Sequence, residues 1–93
     1  TDTSVCKDWT IKPKELKKII LNSKGIDGHT WHDDFSVYPC VINGQIKQND
    51  QTFNFEVNAG SWTYIFCPDT VIIFGNYNKQ DEKYFLSNAW DGN

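Results

Sequence analysis

The 93-residue sequence contains no methionine and no arginine, and it has few prolines and cysteines, three of each. Proteins that bind nucleic acid rely on arginine for bidentate contacts to guanine and to phosphate. Here every basic residue is a lysine, and the formal net charge is -3. The sequence therefore argues against a nucleic-acid partner.

Long apolar runs are also missing. The most apolar stretches, 19–21 and 71–74, are far shorter than the roughly 20 residues that cross a bilayer, so membrane insertion is not expected. The chain starts at threonine, as a protein would after removal of a secretory signal peptide or a tag. We therefore expect a periplasmic or secreted protein.

The three cysteines are an odd number for an exported protein. One disulfide and one spare thiol is the simplest arrangement, with Cys40 bonded to either Cys6 or Cys67. The alternative is that all three stay reduced and buried, because a free cysteine packs as a small apolar residue. A small domain has a marginal core, so a disulfide would add useful stability.

Charge is unevenly divided along the chain. Residues 1–24 hold six lysines against three acids, which gives +3, whereas residues 25–93 hold three lysines against nine acids, which gives -6. The acidic two-thirds could face a basic partner.

The pattern of apolar residues predicts an α+β fold in one domain, residues 1–93, with an extended leader over residues 1–9. One amphipathic helix is predicted from Pro13 to about Ser23, and a loop is predicted over 24–36. Short strands are then predicted at 36–47, 52–58, 62–67, 70–76 and 83–87. Short connections favour an antiparallel sheet of about five strands, with the helix packed on one face.

The stretch HTWHDDF, residues 29–35, holds the densest group of chemically active side chains. His29, His32 and Asp33 are of the types that bind zinc. However, two histidines three residues apart share one side only in a helix, and the glycines at 25 and 28 argue against a long one. An exposed polar loop is the simpler interpretation, and no cofactor is predicted.

A third interpretation makes this stretch a recognition surface. Trp31 and Phe35 would be its apolar anchors, and Asp33 and Asp34 would supply complementary charge. Tryptophan and tyrosine anchor protein interfaces and also stack on sugars. Trp90, in the tail NAWDGN, is hard to assign to the core, so Trp90 and Asp91 form a second candidate contact.

Catalytic motifs are not evident. The sequence has no phosphate-binding glycine loop, no motif that pairs a cysteine with a histidine, and no pair of carboxylates suited to sugar hydrolysis. A non-enzymatic, binding function is therefore expected.

The segments HDDFSVYPCVINGQIK, FEVNAGSW and VIIFG, following a lysine-rich helix, resemble small exported bacterial immunity proteins. The resemblance covers about residues 13–75, although no cysteine follows VIIFG as that pattern would have it. It implies a protein that neutralises a cognate secreted toxin by occluding its active site. The alternatives are a carbohydrate-binding module and a small zinc protein that uses HTWHDD.

Overall fold

The computed structural model describes residues 6–89 and has an α+β architecture. Its elements are α1 (Pro13–Leu21), β1 (Lys24–Ile26), α2 (Gly28–Asp34), β2 (Val41–Gln48), β3 (Gln51–Asn58), β4 (Trp62–Phe66), β5 (Val71–Gly75) and a 3₁₀ helix (Lys79–Tyr84). The strands form one antiparallel sheet in the order β1-β5-β4-β3-β2. The predicted helix on a five-stranded antiparallel sheet is confirmed. Among residues 6–89, no helix is long and apolar enough to cross a membrane.

Helix α1 covers one face of the sheet. Its side chains Leu16, Ile19 and Ile20 are buried, as their spacing predicts. The helix ends at Leu21, two residues before the predicted end, and the Ser23 hydroxyl donates to the carbonyl of Ile19 at 2.8 Å. The buried core between the helix and the sheet consists of Ile11, Leu16, Ile19, Ile20, Phe55 and Val57.

The predicted loop over 24–36 is wrong for most of its length. Its first part is β1, which pairs with β5, and its second part is the short helix α2. The carboxylate of Asp27 starts α2 by accepting a hydrogen bond from the backbone N–H of Thr30 at 2.8 Å. The two glycines misled the prediction, because Gly25 lies within β1 and Gly28 lies in the first turn of α2.

The predicted last strand at 83–87 is also wrong. The chain instead forms the 3₁₀ helix, which Asn78 caps. Asp81 in this helix is only 1% exposed and accepts a hydrogen bond from the side-chain amide of Asn76 at 2.9 Å. The sheet still has five strands, because β1 is the fifth.

The two faces of the sheet differ. On the helix face, Phe55 lies opposite Ile65 and Val57 lies opposite Thr63, beneath α1. On the other face, which we call the open face, β4 presents Trp62, Tyr64 and Phe66. The alternation within β3 and β4 predicts this division correctly.

The disulfide joins Cys6 to Cys40, one of the two predicted pairings. Cys67, the other candidate, is a free and partly buried thiol. Within the predicted leader, Trp9 is partly buried and its indole N–H donates to the carbonyl of Tyr84 at 2.8 Å. Residues 6–9 are therefore tied to the start of β2 and to the 3₁₀ helix.

Candidate functional site

Helix α2 lies at one end of the open face and divides the HTWHDDF side chains into two groups. Trp31 and Phe35, four residues apart, face the sheet. His29 and His32 point to solvent, with their side chains 87% and 83% exposed. The stretch is therefore neither a plain loop nor a buried site, because one side of α2 packs against the sheet and the other side is exposed to solvent.

Four aromatic rings form a continuous row that starts at α2 and follows β4. Trp31 packs edge-on against Trp62, with ring centroids 5.3 Å apart. Trp62 packs against Tyr64 at 4.8 Å, and Tyr64 is 6.1 Å from Phe66. Exposure rises along β4, from 3% at Trp62 to 38% at Phe66. The row thus connects the core to the surface.

The exposed end of this row continues into β5. Phe66 lies opposite Val71, and Tyr64 lies opposite Ile73, in the register of the β4–β5 pair. Phe66 and Val71 are both exposed, and Tyr64 and Ile73 are partly exposed. We call these four residues the open patch. No helix covers it in the part of the chain that the structure describes.

Phe35 does not belong to this surface. It is 8% exposed, it packs edge-on against Tyr77 at 5.3 Å, and its ring fills the space above Gly75. A Cβ on Gly75 would lie 2.5 Å from Cζ of Phe35, which explains the glycine. The predicted contact role of Phe35 is therefore replaced by a packing role that anchors α2 to the sheet.

The metal candidates lie close together without forming a metal site. The Asp33 carboxylate lies 3.4 Å from Nε2 of His29 and 3.4 Å from Nδ1 of His32. Both contacts are exposed and longer than good hydrogen bonds. Within residues 6–89, no three histidine, cysteine or acidic side chains are arranged to hold an ion.

Acidic groups surround the Trp31 end of the open face. Asp27, Asp33 and Asp34 lie on or beside α2, and Glu56 lies opposite Tyr64 in the β3–β4 register. Hydrogen bonding from Thr30 lowers the pKa of Asp27 below its ordinary value, so this carboxylate stays charged in mild acid. Glu56 therefore lies beside the open patch, and the other three acidic residues belong to the α2 end of the open face.

Asp34 is partly engaged within the fold. Its carboxylate accepts a hydrogen bond from the hydroxyl of Tyr77 at 2.9 Å, and the Lys24 ammonium lies 4.5 Å from the centre of the Tyr77 ring. These contacts link α2, β1 and the segment after β5. Asp34 therefore serves first to hold α2 in place, and Asp33 is the more available charge.

We expect stability to depend on Tyr77 in strong base. Burial, followed by the hydrogen bond to Asp34, raises the pKa of Tyr77 to about 12. The phenol thus holds its proton more tightly in the folded state than at its ordinary pKa of about 10. Its contribution is complete below about pH 10 and is lost as the pH rises towards 12. Phenolate absorbance can be followed as the pH is raised. The ionisation step at the highest pH should disappear in Tyr77→Phe, and in Asp34→Asn it should occur at a lower pH than in the wild type. A latest step that is unchanged in Tyr77→Phe would show that another tyrosine is responsible.

The other predicted contacts, Trp90 and Asp91, lie outside the described residues. The sequence pattern predicts strands over the open-patch residues but no binding site there. The sequence does contain a signal for this patch. The β4 segment has aromatic residues on one face and β-branched residues on the other, and the pattern predicts only one long helix, which can cover only one face of the sheet.

Comparison with known proteins found no matching family model, no similar curated protein and no similar solved structure.

Proposed function

We propose that this chain is a non-catalytic inhibitor that binds one partner protein, in the manner of an immunity protein that neutralises a secreted bacterial toxin by occluding its active site. The observation that carries the proposal is the open patch beside Trp31. Uncovered apolar surface with a polar border is typical of protein-binding sites.

The composition of this surface supports a protein partner. Interfaces concentrate their binding energy in a few aromatic residues near the centre, surrounded by weaker contacts. Here Tyr64 and Phe66 would form that centre, Trp31 would lie beside it, and Asp33 would lie at the border. Phe66 and Val71 are held on neighbouring strands, so little conformational freedom is lost on binding.

The charge distribution supports a basic partner surface. Glu56 lies on the open face, and Asp33 and Asp34 lie on α2, whose Trp31 packs on that face, whereas the lysines of α1 lie on the opposite side of the sheet. Such a border accelerates association with a positively charged cleft, and added salt slows it. A toxin that binds an anionic substrate would present such a cleft.

An oxidising compartment is part of the proposal. The disulfide between Cys6 and Cys40 fits the periplasm or the extracellular space, because reducing conditions in the cytosol keep most thiols free. A toxin that is exported, or that enters through the periplasm, would meet its inhibitor there.

The proposal predicts that charges placed in the open patch abolish partner capture. The immobilised protein would be exposed to native periplasmic and secreted extract, in parallel with Phe66→Lys and Val71→Lys. Because each substitution buries an unpaired ammonium in the interface, we expect at least about 30-fold weaker binding of the captured partner, or about 2 kcal/mol. The purified partner should lose its activity at one equivalent of the wild-type protein.

Leu21→Lys is the matched control. Leu21 is an apolar residue that is 70% exposed on α1, so the same change in charge occurs away from the open patch. Retained binding by this control, with loss in both patch variants, supports the proposal. Equal binding by all variants, or no partner at low salt, would count against it. Tryptophan fluorescence that responds to oligosaccharides but to no protein would favour the carbohydrate-binding alternative.

A further inference from the structure

Strand β2 is an edge strand of the sheet. Among residues 6–89 it pairs only with β3, which leaves the backbone groups along its outer side without a strand partner in that range. The turn between them is two residues, Asn49 and Asp50, with φ of 52° and 67°, the conformation that closes a tight hairpin on a hydrogen-bonded pair. That pair is Gln48 with Gln51.

The ladder then determines which residues face outward. Hydrogen-bonded and non-hydrogen-bonded pairs alternate in an antiparallel ladder. The end of the ladder farthest from the turn follows the same alternation, since Ala59 donates its backbone N–H to the carbonyl of Cys40 at 3.0 Å. The even-numbered residues of β2 therefore bond to β3. The odd-numbered ones, Val41, Asn43, Gln45 and Lys47, direct their backbone N–H and C=O groups away from the sheet.

A groove runs beside this edge, between β2 and α1. It has a volume of about 520 Å³, and its apolar lining includes Leu16, Ile20, Ile46 and Phe55. Gly44 deepens it, because a Cβ there would lie 2.6 Å from Cζ of Phe55. The register of β2 with β3 is uninterrupted at Gly44, and the missing side chain leaves room above the Phe55 ring.

The charges on the groove select the occupant. The two ionisable residues that line it are both lysines: Lys17 on α1, and Lys47, whose side chain lies on the other face of β2 because Gly44 and its partner Phe55 face α1. Two copies paired along β2 would bring these like charges together, which disfavours self-association. A segment with carboxylates would instead be attracted.

We propose that the outer edge of β2 binds an extended, acidic segment of a partner protein as an added strand. The segment would exchange backbone hydrogen bonds with Asn43, Gln45 and Lys47, place alternate apolar side chains in the groove, and direct the carboxylates between them to the other face of the sheet, towards Lys47. Strand addition is an established mode of peptide recognition, in which the backbone supplies affinity and the pockets supply specificity. This site is separate from the open patch and stands without the proposed function.

Amide hydrogen exchange on the intact, oxidised protein tests the proposal. The probe is a capped synthetic peptide as long as β2 that alternates valine with glutamate, and its match replaces glutamate with lysine. We expect the glutamate peptide to slow exchange at Asn43, Gln45 and Lys47 by about tenfold or more, which corresponds to about 1.4 kcal/mol. Exchange at Ile42, Gly44 and Ile46 should change much less, because those amides are already bonded to β3.

Gln45→Pro removes one outward N–H without removing a ladder bond, and it should abolish the effect, whereas Gln45→Ala should retain it. If the proline variant proves unfolded, the double charge reversal Lys17→Glu with Lys47→Glu provides the test: it should reverse the preference between the two peptides. Three results would overturn the proposal: no protection by the glutamate peptide, protection of even and odd residues alike, or edge amides that become protected with protein concentration alone. The last would identify a second copy as the occupant.

Discussion

Replacing Cys6 and Cys40 together by serine should lower the free energy of unfolding by about 4 kcal/mol. The disulfide closes a loop with a sequence separation of 34 residues, which contains α1, β1 and α2. Without the disulfide, the unfolded chain gains conformational entropy while the folded chain changes little, so the unfolded state becomes more favourable. Single domains are stable by only about 5–15 kcal/mol, so this loss is a large fraction of the total.

Urea denaturation followed by far-ultraviolet circular dichroism measures the effect. Cys67→Ser is the control: this thiol is free, and its replacement should shift the midpoint little. Wild type treated with reductant should unfold at the same urea concentration as the double serine variant. If the double variant instead matches the oxidised wild type, the loop is held mainly by packing, and the disulfide has little effect on stability.

Trp62→Ala should be the most damaging single substitution in the aromatic row, at about 3–5 kcal/mol. Trp62 is 3% exposed, and its indole N–H donates to the carbonyl of Ser36 at 2.9 Å. Its ring contacts both Trp31 and Tyr64. Alanine would leave a cavity between α2 and the sheet and remove the hydrogen bond that holds the segment after α2.

Trp62→Phe separates these contributions. Phenylalanine keeps most of the ring packing and loses the hydrogen bond to Ser36, so its cost should be smaller, at about 1–3 kcal/mol. Near-ultraviolet circular dichroism should report the loss of the Trp31–Trp62 contact in both variants. An alanine variant no less stable than the phenylalanine variant would show that the ring is not a support for α2. Either variant should also weaken partner binding if Trp31 belongs to the interface, because Trp31 would lose its position.

The regular alternation of the later strands could be predicted because it depends on local pattern. In TFNFEVN, every second residue is apolar, and Phe55 and Val57 lie in the core beneath α1. The strand β5 is apolar on both faces, which is typical of an interior strand, and it lies between β1 and β4. In each case the pattern of side chains within one strand is enough to predict which of its faces are buried.

The structure of residues 24–36 could not be predicted in the same way. Strand β1 has three residues, and its pairing with β5 joins parts of the chain that are far apart in sequence. Two glycines and a run of polar residues have weak local preference, so tertiary pairing determines their conformation. The Asp27 cap is the one local signal, since an aspartate three residues before Thr30 suits a helix start.

The candidate site likewise depends on tertiary packing that the local sequence does not predict. The sequence placed Trp31, Asp33, Asp34 and Phe35 in one contact surface because they are neighbours in the chain. In the fold, the helical turn of α2 and the position of Gly75 bury Phe35, while Asp33 remains exposed. The open patch comes instead from two strands whose residues meet only through the β4–β5 register.

The sequence by itself determined the α+β class, the amphipathic first helix, the faces of β3 and β4, the uneven charge and the presence of a cysteine able to pair with Cys40. These properties follow from composition and from periodicity within single elements. The tertiary structure alone decided the choice of Cys6, the role of β1 as fifth strand, the packing of Phe35 and the uncovered patch at Phe66 and Val71. The physical reason is that each of these depends on which distant segments pack together, and packing fills space that no local pattern describes.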